Sequence, residues 1–304
     1  TASGMLSIQP DGSVSVCSSI AEVGQGGSSM VASVVHEALG ISWEKIRYSG
    51  VDTTFLTDAG PTVATRGTVF SGGAVYRAAG QLREKLTAYA EPYLHTREVT
   101  FENGEIFESG NPDNRVPLQK VIGDVFAASD HLNALGYMAA PPLTYDKSCG
   151  VGDAYLSYVY GAAAAEVTVD VRTGVVSVDE YFAVHDVGHA FDKAEAEGQI
   201  RGGVCMGVGY AVMEELEMSE GRIQNHNLDS YIIPTALDMP KTTPIVLEIP
   251  GRYGPFGAKG LGEPATCIVA PAIVNAVADA AGRRVRDLPA NLEQVALGHK
   301  VKKK

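Results

Sequence analysis

The sequence predicts an α+β fold. Short alternating runs fold back around Asp11-Gly12 and around Arg172-Thr173-Gly174, the pattern of β-hairpins. Three stretches read as long helices: from Ser28 or Ser29 to Leu39, from Gly73 to Leu94, and from about Ala194 to Leu216. Hairpins and helices do not alternate in regular βαβ units, so a parallel doubly wound sheet is not indicated.

The elements follow in order. Met5–Ile8 and Ser13–Val16 form the first hairpin. The next helix places Met30, Val31, Val34, Val35, Ala38 and Leu39 on one face, with Ser28 or Ser29 as its cap and Gly40 as its stop. Ile46–Val51 reads as a strand, and a Thr-rich loop runs to about Gly67. Residues 96–145 show no clean period. From Tyr158 strands return: Ala165–Val171 turns back through Val175–Val178, and the second arm extends to Val187. The third helix contains Gly202, Gly203, Gly207 and Gly209, each costing about 1 kcal/mol of helix propensity. Such glycines indicate close packing against another helix or a ligand. Ile245–Ile249 is a strand, Gly251–Glu263 a Gly-rich loop, and Pro271–Ala281 a closing helix with Gly282 as its C-cap.

The chain has 304 residues, 45% of them hydrophobic, enough for a substantial core in one large domain or two modest ones. Lys+Arg 24 against Asp+Glu 36 leaves a net charge of −12, which excludes an electrostatic grip on nucleic acid or anionic lipid. Lys300 and Lys302–Lys304 read as a solvated tail. No run reaches the ~18 consecutive apolar residues of a membrane span. Cys17, Cys149, Cys205 and Cys267 lie far apart with no C-x-x-C, so they read as reduced thiols of a cytosolic protein. The opening Thr1-Ala2-Ser3-Gly4 has no basic or apolar leader pattern. It reads as a cytoplasmic protein that lost its first Met, or as a chain that begins partway through a larger fold.

Three Gly-rich segments carry chemistry. In Val23-Gly24-Gln25-Gly26-Gly27-Ser28-Ser29, exposed N–H groups at a helix start suit a phosphate or oxo-anion, or simply make a tight turn. No Gly-Lys-Ser/Thr follows, so it is not a P-loop, and its spacing is not a dinucleotide fingerprint. Pro61–Thr68 followed by Ser71-Gly72-Gly73 offers hydroxyls for a polar groove, or a polar loop with an N-cap. In Gly254–Pro264, Glu263 ends a glycine-dense loop. Held in a partly apolar pocket it would suit a general base; exposed, it is a helix-start carboxylate. His185, His189 and His226 read as structural, hydrogen-bonded histidines.

Taken together and in order, these segments resemble the molybdenum-binding half of the xanthine dehydrogenase/aldehyde oxidoreductase family. Val23-Gly24-Gln25-Gly26 is similar to its M-G-Q-G loop, with Val23 in place of the methionine, and Leu39-Gly40-Ile41 to the corner that follows. Pro61–Thr65 leading to Gly72-Gly73-Ala74-Val75 resembles the second cofactor loop. Glu197–Gly203 resembles the E-G-Q-x-x-G-G/A helix, and Lys259–Pro264 the K-G-x-G-E-P loop. His185–Gly188 and Asp229–Ala236 fit as strands between them.

The resemblance implies a xanthine-oxidase-type molybdenum-cofactor domain across residues 1–304, with subdomains at about 1–145 and 146–304, each of hairpin-rich sheet and long helices. Gly24, Gln25, Gly26 and Gly27 would contact the pterin or its pyrophosphate. Ala64, Thr65, Arg66 and Gly67 would line the pyrophosphate and cytidine groove of a cytosine dinucleotide form. Gln199, Lys259, Gly260 and Gly262 would complete the cofactor site. Glu263 would be the catalytic base, and the pterin dithiolene would hold molybdenum with no side-chain ligand. The acidic balance then implies that backbone N–H groups hold the cofactor's phosphates.

The chain has neither iron-sulfur cysteine motifs nor a flavin fingerprint, so the resemblance assigns those groups to an Fe-S subunit and an FAD subunit. The family's catalytic chain is more than twice this length. A large molybdopterin subunit would carry the missing half of the active site. That split points to a nicotinate dehydrogenase-like enzyme hydroxylating an N-heteroaromatic acid. Purine or aldehyde oxidation, or a non-catalytic scaffold role, are the alternatives.

Overall fold

The computed structural model describes residues 1–299, so the basic tail lies outside the described residues. The chain forms two compact units. One comprises Thr1–Tyr158 and Pro250–Gly260, the other Val159–Ile249 and the residues from Leu261 onward.

In chain order the first unit contains β1 (Ala2–Ile8), β2 (Val14–Ser18), α1 (Gly27–Leu39), β3 (Ile46–Tyr48), α2 (Gly73–Leu94), β4 (Val99–Glu102), β5 (Glu105–Glu108), β6 (Asn111–Pro117), α3 (Leu118–Ala127), β7 (Asn133–Met138), β8 (Tyr145–Asp146) and β9 (Val151–Gly152). The first hairpin forms as the sequence predicts, with Leu6 opposite Val16 and Ile8 opposite Val14. Its tight turn is closed by the Asp11 carboxylate, which accepts from the Ser13 N–H at 2.9 Å. The sheet runs β3-β2-β1-β7. Its buried Leu6, Ile8, Val14 and Val16 form the core with Val31, Val34 and Val35 of α1 and Val75, Ala78 and Leu82 of α2.

The first two helices end and begin close to the sequence-derived bounds. Gly40 stops α1 in the left-handed region at φ 63°, its N–H returned to the His36 carbonyl. The α1 cap differs from expectation: Gly26 occupies it at φ 77°, and neither Ser28 nor Ser29 does. Helix α2 keeps the expected bounds, Gly73–Leu94, and a five-residue wider turn, Thr68–Gly72, leads into it. Residues 96–145 resolve into the β4-β5-β6 meander, α3 and β7. These strands are short, or pair with β1 more than a hundred residues away, so no local period announced them.

The second unit contains β10 (Gly161–Val169), β11 (Val176–Asp186), α4 (Lys193–Val212), β12 (Met218–Ser219), β13 (Arg222–Ile223), β14 (Lys241–Leu247), α5 (Pro264–Cys267), α6 (Val269–Ala281) and α7 (Leu292–Leu297). Its main sheet has the order β10-β11-β14, antiparallel then parallel. Tyr181 and Ala183 of β11 are buried with Ile200, Val204 and Val208 of α4 and Val269, Ile273 and Val277 of α6.

Two expectations fail here. Helix α4 ends at Val212, four residues before Leu216, because the N–H groups of Met213 and Glu214 both turn onto the Gly209 carbonyl. Asp229–Ala236 is not a strand. Ser230 and Tyr231 donate to the Asn227 carbonyl, and Thr235 donates to Asp238, which closes local turns in place of a ladder. Pro234 also removes one donor such a ladder would use.

The 18-residue segment Pro264–Ala281, of mean hydropathy 1.4, is apolar enough on composition to cross a membrane. It is two helices broken at Ile268, however, and Val269, Ile273 and Val277 lie in the core.

Asp192, which sequence reading passed over, caps α4 by accepting from the N–H groups of Ala194 (2.7 Å) and Glu195 (3.1 Å). Asp192→Ala is expected to lower unfolding stability by about 1 kcal/mol. Denaturant melts of the two proteins measure this; an unchanged midpoint would reject the cap.

Candidate cofactor site

The first unit brings three of the sequence-derived segments together. Ile20 is the hinge of this arrangement. It is buried, and the bare faces of Gly27 and Gly67 leave room for its side chain: a Cβ on either would lie 2.9 or 2.7 Å from the Ile20 Cδ1. Thr62 then donates its hydroxyl to the Ala21 carbonyl at 3.0 Å, joining the second loop to the first. The third loop enters at Gly260, which is buried where any Cβ would strike the Thr65 backbone. Lys259 beside it is half-buried.

Two residues of the second loop, Ala64 (φ 56°) and Thr65 (φ 53°), sit in the left-handed region. For side-chain-bearing residues this costs about 1–2 kcal/mol each, and Thr is β-branched besides. Strain of this kind persists where the surroundings over-determine it, and it clusters at ligand sites. Arg66 donates to the Thr1 carbonyl at 2.8 Å and stacks over Phe70 at 5.0 Å from the ring centroid.

The first loop is organised by a residue that sequence reading missed. The Glu22 carboxylate accepts from the N–H groups of Gly24 (3.0 Å), Gly26 (3.2 Å) and Ser28 (2.9 Å). Gln25 folds onto the same loop, accepting from Val23 N–H at 2.7 Å and donating to Ala21 O at 3.0 Å. The amides that the sequence offered to a phosphate are therefore taken by a carboxylate of the chain itself. The signal was legible: an acid two residues before a Gly-x-Gly turn at a helix start. Desolvation pushes the Glu22 pKa up, and the N–H groups of Ser28, Gly24 and Gly26 outweigh it, leaving the pKa below the ordinary 4.5. A depressed carboxyl stabilises above its unfolded value, and that contribution is lost as pH falls through the folded value. Amide exchange at Gly24, Gly26 and Ser28 should therefore be slow above about pH 4.5 and lose its protection below it. Glu22→Ala should remove that protection at every pH. Protection unchanged in the variant would reject the assignment.

The second unit holds Gln199, Gly262 and Glu263. Gln199 is half-buried on α4, one turn before Gly203. A Cβ on Gly203 would lie 2.6 Å from the Ala265 Cβ, and one on Gly207 would strike Val269. These glycines let α5 and α6 lie directly on α4. Gly262 accepts from the Ala265 N–H at 3.3 Å, and the Glu263 carbonyl accepts from Thr266 (3.0 Å) and Cys267 (3.1 Å). The Glu263 side chain is exposed, so the partly apolar pocket that the sequence allowed for it is not formed by the described residues.

A second row on α4 is unlike the first. Added Cβ atoms at Gly198 and Gly202 would meet nothing within 4 Å among the described residues. No packing among the described residues accounts for these two, so their bare surface is open to a ligand or another polypeptide. That is the cradle a large planar cofactor would need. Among the described residues no group of three His, Cys, Asp or Glu side chains could hold a metal ion. The donor set of amide, glycine backbone and single carboxylate suits a cofactor that brings its own metal ligands.

His185 is buried, but among the described residues neither ring nitrogen has a hydrogen-bond partner, unlike the bonded histidine expected. Burial pushes its pKa down. A cavity of about 640 Å³ lies at the C-terminal end of α4, lined by residues that include Val208, Val212, Met239 and Leu292. None of the sequence-derived site residues lines it.

Comparison with known proteins identifies the family and the fold. Residues 1–240 match the molybdopterin cofactor-binding domain. The xanthine dehydrogenase molybdenum-binding subunit of Escherichia coli O157:H7 is 30% identical over 293 residues, 95% of this chain and 38% of that protein. The nicotine 6-hydroxylase large subunit of Paenarthrobacter nicotinovorans is 32% identical over 290 residues, 93% of this chain and 35% of that one. The crystal structure of quinoline 2-oxidoreductase from Pseudomonas putida 86 superposes with a TM-score of 0.85 at 29% identity, covering 97% of this chain and 37% of that one. The chain thus spans under two-fifths of the length of these relatives. It belongs to the xanthine dehydrogenase/aldehyde oxidoreductase family, as a chain bearing its molybdopterin cofactor-binding domain.

Proposed function

We propose that the chain is the smaller molybdopterin subunit of a cytoplasmic, multi-subunit molybdenum hydroxylase that hydroxylates an N-heteroaromatic acid such as nicotinate with water-derived oxygen. The observation that carries this reading is on α4 and α5. Through Gly203 and Ala265 the two helices touch, and Gln199 stands one turn, about 6 Å, along α4 from that contact, with Glu263 two residues before Ala265. An amide on α4 and an exposed carboxylate at the start of α5 thus belong to one packed helix pair, and the open glycines Gly198 and Gly202 are the chain neighbours of Gln199 and Gly203.

When bound, the molybdopterin cofactor, in its cytosine dinucleotide form, supplies the electron-accepting metal centre. Gln199 would hydrogen-bond its polar edge, and Gly198 and Gly202 would admit it to the helix backbone. Gln25 with Gly24, Gly26 and Gly27, Ala64 to Gly67, and Lys259, Gly260 and Gly262 line its pterin and nucleotide ends. Glu263 takes up the proton released as oxygen passes to the substrate carbon. A large molybdopterin subunit supplies the rest of the pocket, and Fe-S and FAD subunits carry electrons away.

Support for an aromatic nitrogen heterocycle comes from the relatives whose names specify nicotine, quinoline and xanthine. Aldehyde oxidation by the same chemistry is the second reading, because aldehyde oxidoreductases are also among the relatives. Metal analysis and a substrate screen on the purified complex test the proposal. Molybdenum with nicotinate turnover is the expected result; xanthine or aldehyde oxidation without nicotinate turnover would overturn the substrate assignment.

A further inference from the structure

The sheet of the second unit buries one face and leaves the other bare. Side chains alternate along a strand, so while Tyr181, Ala183 and His185 of β11 point to the core, Phe182 and Val184 point away. Register extends the outer face across the sheet. Ala162 lies opposite Val184, Ala164 opposite Phe182, and Ile245 beside Val184, with Leu247 following on β14. Phe182, Ile245 and Leu247 are 38%, 41% and 42% exposed. The charged Glu180–Lys241 pair sits at one end of this face, at 2.8 Å, and Glu166 lies opposite Glu180. An apolar centre with a charged rim is the anatomy of a protein interface. Strand β10 is also a sheet edge of nine residues without lysine or proline, the devices that usually protect such an edge.

We infer that the outer face of the β10-β11-β14 sheet is the seat of a partner chain, the polypeptide that supplies the remaining three-fifths of the length found in the family's catalytic proteins. This rests on the proposed split of the catalytic unit. The occupant follows from two observations. Some 60% of each relative's chain lies beyond the part matched here, and the apolar centre and charged rim of this face are those of a surface that meets another polypeptide. The competing occupants are disfavoured by charge. A second copy would bring two chains of net charge −12 together, and an anionic membrane surface would be repelled.

The test uses the native assembly, recovered through a tag on this chain, with the companion identified by its match to the uncovered part of the relatives. Two variants place charge or bulk on the face: Phe182→Lys with Ile245→Lys, and Ala164→Arg alone. The second keeps every existing side chain beyond Cβ, and it remains informative where the first fails to fold. Circular dichroism melts of the chain alone establish which variants are folded. Native mass spectrometry reads companion per tagged chain, which should fall about tenfold or more in each folded variant. Hydrogen exchange in β10, β11 and β14 should be slower in the wild-type assembly than in the chain alone.

Companion recovered at the wild-type ratio in folded variants overturns the inference. So does a homodimer of this chain that the same substitutions dissociate. Molybdenum content in the same preparations separates the two proposals. A companion lost on substitution, from an assembly without molybdenum, supports the docking face and rejects the cofactor reading. Molybdenum present with companion binding insensitive to both variants rejects the docking face alone.

Discussion

Glu263→Gln in the assembled enzyme is expected to lower kcat by about 10²–10⁴-fold while leaving cofactor content and subunit composition unchanged. The size follows from the role: a positioned base contributes that much to a proton transfer, and the amide cannot accept the proton. The specificity follows from geometry. The bonds that start α5 come from the Glu263 backbone carbonyl, to Thr266 and Cys267, and glutamine keeps them. The residue is exposed, and glutamine matches the glutamate side chain in size and shape. A purely electrostatic role at a helix start is also small, because α5 has only four residues and presents little dipole. Turnover rates, metal content and native mass on the same samples check the prediction. Turnover at the wild-type rate would reject the base and favour a scaffold subunit.

The second large effect separates two neighbouring glycines on α4. Gly203→Ala is expected to destabilise the chain by about 1–3 kcal/mol, because its methyl would lie 2.6 Å from the Ala265 Cβ and 2.7 Å from its carbonyl carbon. Backbone cannot yield as a flexible side chain can, so α5 must move off α4. That shift would carry Glu263 with it, and activity should fall further than stability alone explains. Gly202→Ala should do the reverse. Its methyl enters open space, so the chain gains about 0.5–1 kcal/mol of helix propensity. The same variant should reduce molybdenum content, since the bare backbone it covers is the one assigned to the cofactor. Denaturant midpoints and metal analysis of both variants read these effects. Stabilisation by both substitutions would show that Gly203 is not a packing residue. Full metal content in Gly202→Ala would remove that glycine from the cofactor surface.

Much of this was legible from residues alone, and where it failed the cause is physical. The hairpin at Asp11-Gly12, the α2 bounds and the left-handed stops at Gly40 and Gly282 depend on neighbours a few positions away. Their dihedral preferences act locally, so they can be read locally. The β4-β5-β6 meander and β7 could not be read this way. The segment Asp229–Ala236, rich in β-branched and aromatic residues, reads as a strand by propensity, yet it closes turns on Asn227 and Asp238. Glycine clusters were visible, but their meaning was not. Adjacent residues Gly202 and Gly203 differ only in which side of α4 they occupy, and only packing shows that one meets Ala265 while the other meets nothing.

The sequence by itself determined the α+β class, the hairpins at Asp11-Gly12 and Arg172-Thr173-Gly174, the long helices, and the four segments that carry the family resemblance. These are properties of periodicity, capping and turn chemistry, which need no distant partner. Tertiary structure alone decided that Ile20 gathers two loops under Gly27 and Gly67. It alone decided that Gly203 and Gly207 seat α5 and α6 against α4. Close approach between segments far apart in the chain depends on which atoms a side chain would meet, and one-dimensional spacing does not contain that information.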